Sequence, residues 1–293
     1  MVIGGGPAGC AAARMAASVG MRTVLVEPER PCHHLHRIPA LDNVLGGHHG
    51  GPALAAAVTA ELAATPLCRL LLGRRAEGIR THADHVTVAL DDGTLLTAPH
   101  VIVATGTAPL RPADAPWISA PDDLLPSPLW EADPGSAEGR TLLVLGGDRP
   151  IGTFLRSHPH LRTRLLVAHP AADAYKTEEV RNDPRVTLLP VTHLSFATTP
   201  GLHPVTAEWT DSDGNLHPLT ADSVHLSLGN APVAPPGDLV RDHDGHCPPA
   251  AQHSRVLIAG DLRSARYQRV MTALGSGAEA ALTAYYAAQD LPG

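Results

Sequence analysis

Apolar positions fall into short runs separated by glycine-rich turns and by stretches of small residues at helical spacing. Val2-Ile3 leads into a glycine string, Ala11 to Val19 reads as a small-residue helix, and Thr23 to Glu27 (TVLVE) returns as an apolar run. Strand, helix and strand in that order predict a βαβ unit with a right-handed crossover. An alanine-rich helix is expected from Pro52 to about Ala64, after a His- and Pro-rich loop over Pro31 to Gly51. Residues 70 to 104 then show small strands: LLLG, the alternating HVTVAL ahead of Asp92-Gly93, and VIVAT. Asp-Gly between apolar runs is a hairpin signal.

The pattern then repeats. Thr107 to Pro128 is dense in proline and aspartate and reads as a hinge or linker, after which TLLVLGGD (Thr141 to Asp148) and RLLVAHP (Arg164 to Pro170) restate the opening strand, loop and strand. Strands are expected at VTLLPV, PVTAEWTD and VHLSLG, and a second proline-rich stretch, Pro232 to Pro236, marks a return. A closing strand, VLIAGD, and a helix from about Gly275 to Gln289 complete the first domain. The fold class is α/β, with two Rossmann-like domains of which the second is inserted in the first: residues 1–110, 111–231 and 232–293.

The 293 residues, 44% hydrophobic, are enough for two domains with real cores. Four widely spaced cysteines with no CxxC give neither a disulfide framework nor a zinc ribbon, so no metal is expected and a reducing cytoplasm fits. A formal charge of −7 opposes nucleic-acid binding, and no apolar run reaches membrane-span length, so neither nucleic acid nor membrane is an expected partner.

Gly4, Gly6 and Gly9 form GxGxxG, with Pro7 and Ala8 between the last two, directly after a strand and before a helix. The glycines permit a tight turn, close approach of a pyrophosphate and close helix–strand packing, and the helix N-terminus presents free N–H groups to phosphate. Glu27, at the end of the second strand, stands where a carboxylate accepts ribose hydroxyls. Gly260-Asp261 ends an apolar strand, where a carboxylate can bind a ribityl hydroxyl. The Tyr267-Gln268-Arg269-Val270 segment opens a helix whose N–H groups can face the flavin N1/O2 edge and favour negative charge there. FAD is therefore the expected cofactor.

With these motifs the chain resembles the low-molecular-weight thioredoxin reductase family over nearly its whole length. GGGPAG, LDNVLGG (Leu41 to Gly47), VIVATG (Val101 to Gly106), LGNAP (Leu228 to Pro232) and AGD with a downstream Y-x-x-x-x-T-x-x-G-x-G carry the resemblance. It implies an FAD domain interrupted by a smaller NADPH domain, a homodimer, and FAD lined by Asn43, Ala104, Thr105, Gly106, Gly260, Asp261, Gln268, Arg269 and Val270.

Two departures redirect the expected chemistry. The inserted loop reads GGDRPIG, with Asp148 where the third glycine would stand and Pro150 removing a backbone donor, and only His169 and Lys176 follow the next strand as cations for a 2′-phosphate. Leu125 to Arg140, where the family places C-x-x-C, holds no cysteine. Without a dithiol, thioredoxin is disfavoured as a partner. Cys10 is expected in the core, and Cys32, Cys68 and Cys247 show no evident partner. Among 18 histidines, His33, His34, His36, His48 and His49 crowd one loop, and His36 or His48 is the candidate general base. The expected activity is oxidation of a small-molecule substrate by hydride transfer to flavin N5 without NADPH, plausibly in specialised metabolite biosynthesis. The alternatives are a flavin reductase fed by a divergent NAD(P)H site or an electron-transfer protein, and a non-catalytic FAD-binding scaffold.

Overall fold

The computed structural model describes the chain except residues 39, 40, 42, 122, 197–203 and 290–293. It divides into two units, Met1–Ala108 with Ala231–Gly293, and Pro109–Asn230.

The first unit opens with β1 (Val2–Ile3), α1 (Pro7–Ser18), β2 (Thr23–Glu27), α2 (Gly51–Ala63) and β3 (Cys68–Leu72). The strands β4 (Ala76–Thr81), β5 (Val86–Leu90) and β6 (Leu95–Ala98) follow, then β7 (Val101–Val103) and β8 (Thr107–Pro109). In the second unit lie β9 (Ile118–Ser119), α3 (Pro134–Ala137), β10 (Thr141–Leu145), α4 (Pro150–Ser157), β11 (Arg164–His169) and β12 (Val186–Pro190). It continues through β13 (His193–Phe196), β14 (Val205–Thr210), β15 (Leu216–Ala221) and β16 (Ser223–Leu226), and β17 (Asn230–Pro232) spans the boundary at Asn230. The return to the first unit adds β18 (Val256–Ile258) and α5 (Val270–Ala288).

In the first unit β18, β7, β1, β2 and β3 form, in that order, a parallel sheet, and β4, β5 and β6 form an antiparallel one. Because successive side chains point to opposite faces, Val2, Leu25 and Ile102 join a core with Ala12, Ala13, Ala280 and Ala281 of α1 and α5. Their neighbours Ile3, Val26, Val103 and Ile258 join Val86, Val88 and Leu90 of the antiparallel sheet on the other face. Burial on both faces is why these strands read as unbroken apolar runs. The Asp92-Gly93 turn joins β5 to β6, with Gly93 at φ +81° and the Leu90 N–H donating to the Thr94 carbonyl at 2.9 Å.

The second unit repeats the layering. The parallel sheet β12-β11-β10-β16 turns Leu142, Val144, Leu165 and Val167 toward Ile151, Phe154 and Leu155 of α4. Leu143, Leu145 and Ala168 face Leu194, Ala207 and Leu219 of the sheet β15-β14-β13-β9.

Three elements depart from their sequence expectations. Helix α1 begins at Pro7 rather than Ala11, with Pro7 at the first helical position, where its missing N–H costs nothing. Helix α5 begins at Val270, so Gly275 and Gly277 lie inside it. The stretch read as linker contributes Ala115 and Ile118 to a core, because Ile118 pairs with Leu194 in the two-residue strand β9.

Candidate dinucleotide site

Three glycines shape the loop between β1 and α1, each through a different geometric demand. Gly4 takes φ +97°, and a Cβ there would fall 2.5 Å from the Ala104 carbonyl oxygen. A Cβ on Gly9 would fall 1.8 Å from the Gly4 carbonyl oxygen. Over Gly6 the space is open, with no atom within 4 Å of a Cβ position. An open position at the N-cap of α1, beside unpaired first-turn N–H groups, suits a pyrophosphate. Pro7 and Ala8 form the first turn, and Ala8 also packs outward: a Cβ on Gly277 of α5 would lie 2.0 Å from its carbonyl oxygen, and one on Gly260 would lie 2.9 Å from its Cβ.

Glu27 holds the loop from the side. Its Oε2 accepts the Gly5 N–H at 2.6 Å and its Oε1 the Glu29 N–H at 3.0 Å, which fixes the carboxylate at the end of β2 with lone pairs left for ribose hydroxyls. Ala104, Thr105 and Gly106 follow β7. The Thr105 hydroxyl donates to the Val233 carbonyl, the Val233 N–H donates to Gly106 at 2.9 Å, and Gly106 takes φ +65°.

The C-terminal half of the site stands between β18 and α5. Gly260, at φ +71°, donates its N–H to Ser276 Oγ at 2.9 Å. Burial pushes the Asp261 carboxyl upward, opposed by Arg269 and His246. The Gln268 amide turns back onto the carbonyls of Ser264 at 3.2 Å and Asp261 at 3.4 Å, and Arg269 Nη1 onto the Gln268 carbonyl at 2.8 Å. Val270 starts the helix. Tyr267, missed as a backbone feature, holds φ +60° with its ring 80% exposed, and Thr272 caps its carbonyl. A non-glycine residue in that conformation is uncommon, and such residues collect at functional sites.

The histidine loop is only partly gathered. Burial, with Arg30 and His33, holds the His36 imidazole below its ordinary value. His48 is half-buried, its ring close to Gly46, and Asn43 is exposed in the same loop, while Asp42 of the LDNVLGG motif lies outside the described residues. Among the described residues no hydrogen bond joins His36, His48 or Asn43 to the Asp261–Val270 group, and no set of three or more His, Cys, Asp or Glu side chains is placed to hold a metal ion.

The thiol expectation needs correcting. Cys32, read as partnerless, lies with its sulfur 3.8 Å from that of Cys10, both buried. The contact depends on a left-handed turn at Cys32 (φ 56°), for which the sequence gives no signal.

The loop of the second unit copies the first in backbone and differs in filling. Gly146 takes φ +92°, and a Cβ there would lie 2.3 Å from the Ser227 carbonyl oxygen, matching Gly4 against Ala104. A Cβ on Gly147 would meet the Thr177 methyl at 2.6 Å, as one on Gly5 would meet the Glu27 Cγ at 2.9 Å, and one on Gly152 would meet the Glu179 carboxylate at 2.6 Å. Asp148 stands where Gly6 stands in the first unit, and an exposed ion pair joins Glu179 to Arg156. His169 is buried, its Nδ1–H donating to the Pro170 carbonyl at 2.9 Å, and Lys176 pairs with Asp173 at 2.9 Å.

Residues 1–129 match the pyridine nucleotide-disulphide oxidoreductase family. No curated protein sequence matches the chain. Among solved structures, Lactococcus lactis thioredoxin reductase is similar at 18% identity and TM-score 0.76, covering 99% of this chain and 98% of that one. The thioredoxin reductase of T. acidophilum is 19% identical with TM-score 0.76, covering 98% and 97%. A bacillithiol disulfide reductase from Bacillus cereus is 16% identical with TM-score 0.67, covering 97% of each chain. At these identities the likeness establishes the fold. No helix among the described residues is long and apolar enough to cross a membrane.

Proposed function

Taking the chain as an FAD-dependent oxidoreductase of the pyridine nucleotide-disulphide type, we propose that it draws its electrons from a small-molecule substrate rather than from NADPH, and passes none to thioredoxin. The observation that carries this reading is the contrast at one loop position: Gly6 in the first unit, over which the space is open, and the Asp148 carboxylate at the corresponding position of the second. The Asp148 carboxylate repels a pyrophosphate, and neither buried His169 nor Lys176, paired with Asp173, is left to balance it.

Bound FAD would supply the electron sink, taking two electrons from the substrate and yielding them to oxygen or another acceptor. Gly6 and the start of α1 would hold its pyrophosphate, Glu27 its ribose, and Asp261 a ribityl hydroxyl. Arg269 and the start of α5 would favour negative charge at the flavin, with Gln268 and Val270 beside it and Thr105 and Gly106 fixing the adjacent strand end. His36, its imidazole held below its ordinary value by burial and then by Arg30 and His33, would accept the substrate proton, with His48 as the second candidate. The reading carries with it a cytoplasmic homodimer, as the resemblance implies, and a place in specialised metabolite biosynthesis.

Anaerobic addition of NADPH or NADH to the purified flavoprotein tests it. The flavin absorbance is expected to persist with both. Prompt bleaching of the wild-type protein would refute the reading and turn it to a reductase with a divergent nicotinamide site.

A further inference from the structure

Beneath the dinucleotide loop sits a pair of thiols that the oxidation of substrate does not use. Cys10 lies in the second turn of α1, and Cys32 opens the short helical turn His33–Arg37 that follows β2. Both are 1% exposed, and their sulfurs stand 3.8 Å apart. They converge on one peptide group. The Cys10 thiol donates to the Gly5 carbonyl at 3.1 Å and the Cys32 N–H to the same oxygen at 2.7 Å, while the Gly5 N–H is held by Glu27. Gly5 is thus pinned on one side by the ribose-facing carboxylate and on the other by the two cysteines.

We propose that Cys10 and Cys32 form a reversible disulfide under a diffusible two-electron oxidant such as hydrogen peroxide, and that this link makes the grip on the cofactor sensitive to oxidation. A disulfide needs the sulfurs at about 2.05 Å, so from 3.8 Å they must close by about 1.8 Å. The backbones need not search for each other, because α1 and the turn after β2 are already held by the Gly5 hydrogen bonds. In the first step one sulfur attacks peroxide, the O–O bond breaks, and a sulfenic acid and water form. In the second, the other thiol displaces that oxygen as a further water and the S–S bond forms. Two electrons leave the pair for the peroxide, and an external dithiol returns them. The hydrogen-bonding contact with Cys32, followed by burial, raises the Cys10 thiol well above its ordinary value, so the first step is slow at neutral pH and the pair responds to sustained rather than momentary oxidant.

The link closes the segment carrying β2 and Glu27 onto α1 and removes one donor from Gly5. Cross-linking restricts the unfolded chain and stiffens the wall of the loop. The cofactor part of the proposal rests on the FAD reading, whereas the link itself rests on the thiol geometry alone.

The test treats the holoprotein with hydrogen peroxide, alkylates under denaturing conditions, and maps peptides by mass spectrometry. The expected result is loss of two of the four free thiols, a peptide linking Cys10 to Cys32, recovery of both thiols with a phosphine reductant, and a rise in Tm of about 5 °C. Retention of all four thiols, sulfinic or sulfonic products on unlinked Cys10 and Cys32, or a link to Cys68 or Cys247 would overturn it. Cys32→Ser is expected to abolish the linked peptide, and Cys10→Ser serves the same purpose if that variant fails to fold. FAD release, followed by the recovery of flavin fluorescence on dilution, is expected to slow at least threefold in the linked protein. An unchanged rate with the link present would overturn the coupling to the cofactor, without touching the assignment of FAD itself.

Discussion

Two single-methyl substitutions in one loop should separate folding from cofactor binding. Gly9→Ala puts a carbon 1.8 Å from the Gly4 carbonyl oxygen. An ordinary carbon–oxygen approach is about 3.3 Å, so α1 would have to retreat from β1 by about 1.5 Å. It has nowhere to go, because on its far side the Ala8 carbonyl oxygen lies within 2.0 Å of where a Cβ on Gly277 would be, leaving glycine alone able to fit there. Overpacking costs about 1–3 kcal/mol where the surroundings give way; with α1 held on both faces, about 3 kcal/mol is expected, or a loss of about 6–12 °C in Tm. Gly6→Ala should do the opposite. The backbone there is at φ −69° and ψ −176°, open to any residue, and the new methyl meets nothing within 4 Å. The gain of about 0.4–1 kcal/mol from a stiffer unfolded chain offsets the similar loss of glycine as an N-cap, so the apoprotein should keep its stability. The methyl does fill the space assigned to the pyrophosphate, and FAD affinity should fall at least 100-fold, about 2.7 kcal/mol. Urea unfolding of the apoproteins and the flavin-to-protein absorbance ratio after gel filtration read the two effects separately. A Gly6→Ala protein that carries stoichiometric FAD would refute the assignment of that space.

Asp261→Asn should raise the Tm of the apoprotein at pH 7 and lower that of the FAD complex. The buried carboxyl has a raised value in the folded state, so the native protein holds its proton above the unfolded value of about 3.9 and loses stability as pH rises through that window. Asparagine removes this penalty, and the difference should vanish near pH 3; an apoprotein destabilised at pH 7 would contradict the reasoning. Arg185→Ala should cost about 2 kcal/mol in urea unfolding, since the guanidinium binds Asp183 at 2.8 Å and the His158 and Leu155 carbonyls at 2.8 and 3.3 Å at the end of α4. A loss under about 0.5 kcal/mol, the size of an exposed ion pair, would contradict it.

Local demands made much of this legible. The strand-to-glycine-loop pattern identified the β1–α1 and β10–α4 turns because a positive φ at Gly4 and at Gly146 is a backbone requirement that only a few residue types meet. Apolar runs marked the parallel strands because both faces are covered. Long-range closure was not legible. The expected helix began only at about Gly275, whereas α5 runs from Val270, and nothing in the sequence marked Gly277 as the place where it meets the backbone of α1. Ile118 sat among prolines and aspartates, and only its pairing with Leu194 brings it into a core. The neighbours of Gly147 and Gly152, Thr177 and Glu179, come from some thirty residues further on, in a stretch with no motif of its own. Histidine crowding, being compositional, said nothing about which ring faces what.

The close seat of α5 on α1 also sets an order of events during synthesis. Residues Pro7–Ser18 emerge before the surface they need, which is supplied by Val270–Ala288 after the whole of Pro109–Asn230 has been made. Until that last helix arrives, α1 exposes an alanine-lined face and the strand β18 is missing from the sheet edge at β7. Pairing across so much chain is slow to form, so the nascent first unit is the vulnerable part of this molecule.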